Sequence, residues 1–254
     1  MKPKKPISGL KLALKTSIVS GMTLLSRILG LVRDIVFARF FGAGLLMDAF
    51  IVAQRIPNML RRFFAEGAFS AGFVPVMARY KEQHGHDEAG EFVDAMAGTF
   101  GAVLFVVTLI GVIGAPLLVL AVAPGFVGEG GDFDLAALML RFTFPYLFFV
   151  SLTAFAGGVL NTYGKFGVPA FTPVILNVIL IAAAIWVAPL LEQPIMALAY
   201  ATFIAGLIQL LFQIPFLTKI HAFPRPRWRP RHEGVRRAFK LMVPAIFGSS
   251  VAQI

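Results

Sequence analysis

Nine charged side chains lie inside one apolar stretch, Ser26 to Glu66. They are Arg27, Arg33, Arg39, Arg55, Arg61 and Arg62, with Asp34, Asp48 and Glu66. Their neighbours are mostly Ile, Leu, Val, Phe and Ala. A charged group in hydrocarbon costs from about 3 to over 10 kcal/mol, depending on how it is measured. Charges at this density therefore face a wet cavity or a partner. Arginine suits a phosphate, because its planar fork donates two hydrogen bonds at once and stays charged. Several arginines converging from two helices suit a pyrophosphate better than a carboxylate. A cation path would want converging acids, and these are fewer.

Helical geometry sorts the group. At 100° per residue, Asp48, Arg55, Arg62 and Glu66 fall within about 40° of one another. Arg62 and Glu66 are an i, i+4 pair, expected to neutralise in place with Arg55 in support. Arg61 lies about 140° from Glu66 and has no acid three or four residues away. It is the better candidate for an external anion. Arg27 and Asp34 share a face two turns apart, while Arg33 points elsewhere. Arg33 and Asp34 are expected to pair with the second span. Arg27 sits deepest in apolar sequence and reads as ligand-facing. Arg39, at the end of the run, reads as a snorkelling interface residue.

Catalytic signals are weak. His84, His86, His221 and His232 fall in polar loops, where histidine is more often a surface residue than a ligand. HExxH, GxSxG and P-loop motifs do not occur, and there is no cysteine. No enzymatic activity, metal site or cofactor is expected.

The elements that must hold these arginines are membrane spans. Of 254 residues, 58% are hydrophobic and 14% charged, against about 25% charged in soluble domains. Mean hydropathy is +0.81. This is the composition of an all-α polytopic membrane protein. A basic tail (1–15) precedes six apolar runs in 16–218: roughly 16–40, 48–80, 92–123, 135–160, 168–188 and 195–217. The second is too long for a simple span, and its Pro57, Gly67, Gly72 and Pro75 predict a bend or break. A break is also expected at Pro145. Residues 79–91 and 161–167 read as loops. A basic, Pro-rich loop (219–240) leads to a seventh apolar run (241–254) that stops before it can span.

The formal net charge is +10 and the pI about 10.3. The positive residues gather in alternate loops: the tail, Arg79 with Lys81, Lys165, and Lys219 to Lys240. That bias explains the charge without a nucleic-acid partner and puts the N-terminus in the cytoplasm. The 219–240 loop reads first as a basic connector, with anionic lipid head groups as the alternative.

Two runs then point to a family. SRILGLVRDIVFARFFGAG and MDAFIVAQRIPNMLRRFFAEGAFSAGFVPVMARYK resemble the MurJ (MviN) family of lipid II flippases. FPYLFFVSLTAFAGGVLNTYGKFGVPAFTPVILN and QLLFQIPFL fit the same family. The likeness runs from about residue 16 to the end. Ile56 stands where the family usually has leucine. The resemblance implies a bacterial inner-membrane protein of the MOP exporter superfamily, with a MATE-like two-lobe fold. Such proteins carry undecaprenyl-pyrophosphate-linked peptidoglycan precursor (lipid II) to the periplasmic leaflet by alternating access. It further implies cavity arginines at Arg27, Arg33 and Arg61, and cavity acids at Asp34, Asp48 and Glu66. The chain then corresponds to a six-helix N-terminal lobe plus the start of a seventh helix, and a longer protein is expected. The alternatives are a flippase for another polysaccharide-lipid, a drug exporter, a non-transporting scaffold of cell-wall synthesis and a polyprenyl-phosphate phosphotransferase. A scaffold has no need of mid-span arginines. A phosphotransferase would want clustered acids for magnesium or a catalytic histidine at a span end.

Overall fold

The computed structural model describes residues 9–61, 68–83, 85–126 and 132–251. Every regular element among them is helical. With no water in hydrocarbon to satisfy backbone amides, apolar segments of this length bond internally as helices. The α-helices are α1 (Gly9–Phe41), α2 (Leu45–Arg61), α3 (Ala68–Gln83), α4 (Gly85–Ile113) and α5 (Ala115–Val122). They continue with α6 (Phe133–Thr143), α7 (Tyr146–Thr162), α8 (Gly167–Ala182), α9 (Met196–Lys219) and α10 (Glu233–Val251).

The expected six runs are all helical, several of them in two pieces. The second run is α2 and α3, on either side of 62–67. The third breaks at Gly114, between α4 and α5, and the fourth at Phe144–Pro145, between α6 and α7. The fifth passes from α8 into a π-helical turn (Ala183–Val187). Among the described residues, four helical segments are long and apolar enough to cross a membrane: Gly85–Ile113, Phe133–Thr162, Gly167–Leu190 and Met196–Lys219. Arg27 and Arg33 dilute α1, and α2 and α3 are each too short to span alone.

Two expectations change. Residues 79–91 are not an open loop: α3 runs to Gln83, α4 starts at Gly85, and Gly85 makes the reversal at φ 86°. The last helix starts at Glu233 rather than near Leu241. His232 Nδ1 accepts from the Gly234 amide at 3.2 Å there, and Glu233 puts an acid at the helix start. Both departures have one cause. Polar helix ends continue an apolar span into water, and hydropathy marks only the apolar part.

Two of the prolines within the helices are matched by hydroxyls. Pro57 has no N–H, so the Ala53 carbonyl one turn earlier loses its backbone donor. Thr143 of α6, fully buried, donates its Oγ1 to that carbonyl at 2.8 Å. Pro173 likewise frees the Pro169 carbonyl, which accepts from Thr172 Oγ1 at 2.8 Å.

Packing makes two storeys. One apolar cluster joins α2, α5 and α6 to the later half of α8 and the start of α9, around Phe50, Ile56, Leu140 and Leu198. The other joins α3, α4, α7 and α10, around Phe73, Phe92, Phe155 and Met242. The pairs α2–α3, α4–α5 and α6–α7 each pass from one cluster to the other. Helix α1 packs on α8 and on the π turn.

The basic loops meet at the α3, α7 and α10 end. Lys81 Nζ donates to the Thr162 carbonyl at 2.9 Å and lies 3.5 Å from the centre of the Tyr163 ring. Tyr163 Oη and His86 Nδ1 are 2.8 Å apart. Burial raises the Tyr163 pKa above the usual phenol value. Asp94 fastens the connector before α10. Its Oδ1 accepts from the Arg225 amide at 2.7 Å, its carbonyl accepts from the Arg227 amide at 3.0 Å, and its Oδ2 lies 3.7 Å from Arg227 Nε.

Candidate functional site: a polar cavity between the storeys

A cavity of about 570 Å³ opens where α1, α2, α3, α7, α8 and α9 meet. Phe69 and Val74 border it from the second storey and Leu176 from the first. The rest of its wall is unusually polar for a membrane protein. Arg33 comes from α1 and Gln54, Asn58 and Arg61 from α2. Asn161 comes from α7, and Gln209 and Gln213 from α9. No carboxylate is among the described residues that line it. Two guanidinium groups and a set of neutral amides therefore face one chamber.

Arg33 is held rather than free. Its Nε and Nη2 donate to Asp34 Oδ1 at 3.0 and 2.8 Å, and its Nη1 donates to Asn177 Oδ1 at 3.1 Å. Asn177 belongs to α8, is buried, and donates Nδ2 to the Ser26 carbonyl of α1 at 3.0 Å. One amide thus ties α1 to α8 and orients the arginine. The Arg33 side chain is 26% exposed and that of Asp34 62% exposed. The expected pairing of Arg33 and Asp34 with the second span is replaced by this one. The helix wheel separates the two residues, but a guanidinium is long enough to reach its chain neighbour, and α1 packs on α8.

The remaining candidates do not form one cluster. Arg61 lines the cavity, half-buried, at the end of α2. Arg27, Asp34, Asp48 and Arg55 are exposed and are not among the lining residues. Arg39 is exposed near the end of α1, as a snorkelling residue would be. Arg62 and Glu66 lie outside the described residues, and with them the expected i, i+4 pair. No group of three or more His, Asp or Glu able to hold a metal occurs among the described residues.

The amide wall was missed from the sequence. Gln209 and Gln213 are 3% and 1% exposed, at i and i+4 on α9. Gln209 Nε2 donates to the Thr172 carbonyl of α8 at 2.7 Å, and Gln213 Nε2 to the Thr153 carbonyl of α7 at 3.2 Å. The signal was present: two glutamines one turn apart within QLLFQIPFL share a helix face in an otherwise apolar span.

The family model for lipid II flippase MurJ matches residues 37–254. The chain belongs to the MurJ family. It is 48% identical over 240 residues to a probable lipid II flippase MurJ of Haemophilus influenzae, covering 92% of this chain and 47% of that one. It is 51% identical to the lipid II flippase MurJ of Burkholderia cenocepacia, covering 93% of this chain and 46% of that one. The chain thus spans about half the length of these MurJ relatives. Among solved structures, lipid II flippase MurJ in an inward closed conformation superposes with a TM-score of 0.73 at 28% identity. That match covers 93% of this chain and 48% of the other. A MOP-superfamily transporter from Pyrococcus furiosus shares the fold, with a TM-score of 0.69 at 15% identity over 96% of this chain and 55% of its own.

Proposed function

We propose that this chain is the N-terminal lobe of a lipid II flippase and supplies the wall that receives the substrate's pyrophosphate. One observation carries the reading: Arg33 and Arg61 share a cavity with no carboxylate among its described lining residues. The pyrophosphate of a lipid-linked precursor must cross about 30 Å of hydrocarbon. Fixed guanidinium groups replace its hydration, and alternating access opens them to each side in turn. Arg27, about two turns before Arg33 on the exposed face of α1, joins them once a second lobe closes the chamber. Asp34 holds Arg33 in place. The chemistry is transport, and no bond of the substrate is made or broken.

The basic end of the bundle lies at the cytoplasmic face of a bacterial inner membrane. In the 219–240 loop, exposed Arg225, Arg229 and Arg231 flank Trp228, which suits contact with anionic head groups.

The test uses a chimera in which this chain replaces the matching half of the Haemophilus influenzae relative, as the only flippase in the cell. Arg33→Ala or Arg61→Ala should abolish growth at unchanged membrane abundance. Removing one partner of a buried charged contact costs about 2–5 kcal/mol, a loss of about thirtyfold or more. Lysine should rescue poorly, because it lacks the two-pronged fork. Normal growth on both alanine variants would sink the proposal.

A further inference from the structure

The amides of Gln209 and Gln213 are each half used. Their nitrogens donate to backbone carbonyls of α8 and α7. Those acceptors fix the orientation of each amide, because a flip would set two oxygens against each other. What remains is one carbonyl oxygen per residue. Neither Oε1 has a hydrogen-bond donor among the described residues, although both residues are more than nine-tenths buried and line the cavity. A buried acceptor left unmade is costly, so such groups call for a partner. Gly157 of α7 lies beside one of them: a methyl placed there would be in ordinary contact with Gln213 Oε1, at 3.8 Å.

We infer that Gln209 and Gln213 form a second subsite, for a neutral group rich in O–H and N–H donors attached to the anion that Arg33 and Arg61 receive. This rests on the phosphate reading above and extends it along the substrate. The division of labour follows from chemistry. Guanidinium groups offer donors only, and phosphate offers acceptors only. The hydroxyls and acetamido N–H of a sugar need acceptors, and so do the amides of a peptide. Carboxylates would supply acceptors but repel the adjoining phosphate, whereas glutamine oxygens supply them without charge. Asn58 and Asn161, on the same wall, extend the neutral surface. The subsite selects for what the phosphate carries, and the arginines for the phosphate itself.

Three probes separate the sources of the donors: undecaprenyl pyrophosphate, undecaprenyl-pyrophosphoryl-N-acetylglucosamine, and lipid II, which adds a second sugar and a peptide. Binding to the 254-residue chain in nanodiscs is measured for Gln209→Met and Gln213→Met, which keep length and remove the acceptor. Each should weaken the N-acetylglucosamine probe by about tenfold and leave undecaprenyl pyrophosphate within about twofold. An effect on lipid II alone would place the donors on the second sugar or the peptide and overturn the assignment to the sugar next to the phosphate. Equal weakening of all three probes, or of none, would overturn the subsite. Methionine also removes the ties to Thr153 and Thr172, so Gly157→Ala is measured beside it. That variant keeps both ties, adds a methyl in contact with Gln213 Oε1 and needs only a small shift of Pro169, 3.1 Å away. It should weaken the sugar-bearing probe and spare the bare pyrophosphate, and an unchanged sugar affinity would count against the subsite. Arg33→Ala should weaken all three probes. If it weakens none while the glutamine variants discriminate, the phosphate reading fails and the acceptor subsite stands.

Discussion

The buried threonine at position 143 shows how single side chains make these broken helices possible. Pro57 sits within α2 and leaves the Ala53 carbonyl without its usual donor, and Thr143 Oγ1 supplies one. Thr143→Val keeps the shape and removes the hydroxyl, so a buried acceptor is left unmade. It should destabilise the protein by about 1–3 kcal/mol, seen as earlier thermal unfolding in detergent. In a Pro57→Ala background the residue 57 amide can serve Ala53 itself, and the same Thr143→Val change should then cost much less. Equal costs in the two backgrounds would show that the hydroxyl is not serving Ala53. At this scale the sequence was only partly legible. It marked Arg33 and Arg61 because arginine in an apolar run has few other uses. It hid Asn177, which orients Arg33 from α8, because that contact exists only once α1 lies on α8.

Among the elements, the connector between α9 and α10 is a strap rather than a loose loop. Asp94 holds the Arg225 and Arg227 amides. Gly98, one turn on, lets the Arg227 backbone lie directly on α4, and a methyl at that position would collide with the Arg227 carbonyl. Gly98→Ala should therefore lift the strap, losing the Arg225 hydrogen bond to the Asp94 carboxylate, worth about 1.5–3 kcal/mol. Trypsin should then cut after Arg227 and Arg231 about tenfold faster. Asp94→Ala should behave alike, and unchanged cleavage in both variants would show that the strap is held elsewhere. Element boundaries were legible where proline interrupts an apolar run, as at Pro145, but not at Gly114, inside a run read as one span. They were not legible at 79–91 or at Glu233, where helices continue through polar sequence capped by His232 or reversed at Gly85.

The whole molecule has a basic end and an opposite end, and the expected orientation puts the basic end in the cytoplasm. The chain has no cysteine, so single cysteines report cleanly. One at Glu192, in the turn after α8, should react with a membrane-impermeant thiol reagent added from the periplasm. One at Arg229 should react only after the cells are opened. The reverse pattern would invert the topology. The general architecture was readable from composition, because apolar runs bounded by charged loops leave few alternatives. The two storeys and the polar waist between them were not readable. They depend on which part of each broken helix meets which neighbour, and hydropathy carries no such information.

The two storeys also bear on how the protein is made. The first cluster lacks Leu198, Ala199 and Ala201 until α9 has left the ribosome, and the second lacks Val235, Ala238 and Met242 until α10 has followed. Biosynthesis therefore completes one storey before the other. In the interval the nascent chain sits in the bilayer with Phe73 and Phe92 only partly covered. The insertion machinery, or a lipid, must shield that side until the last helix arrives.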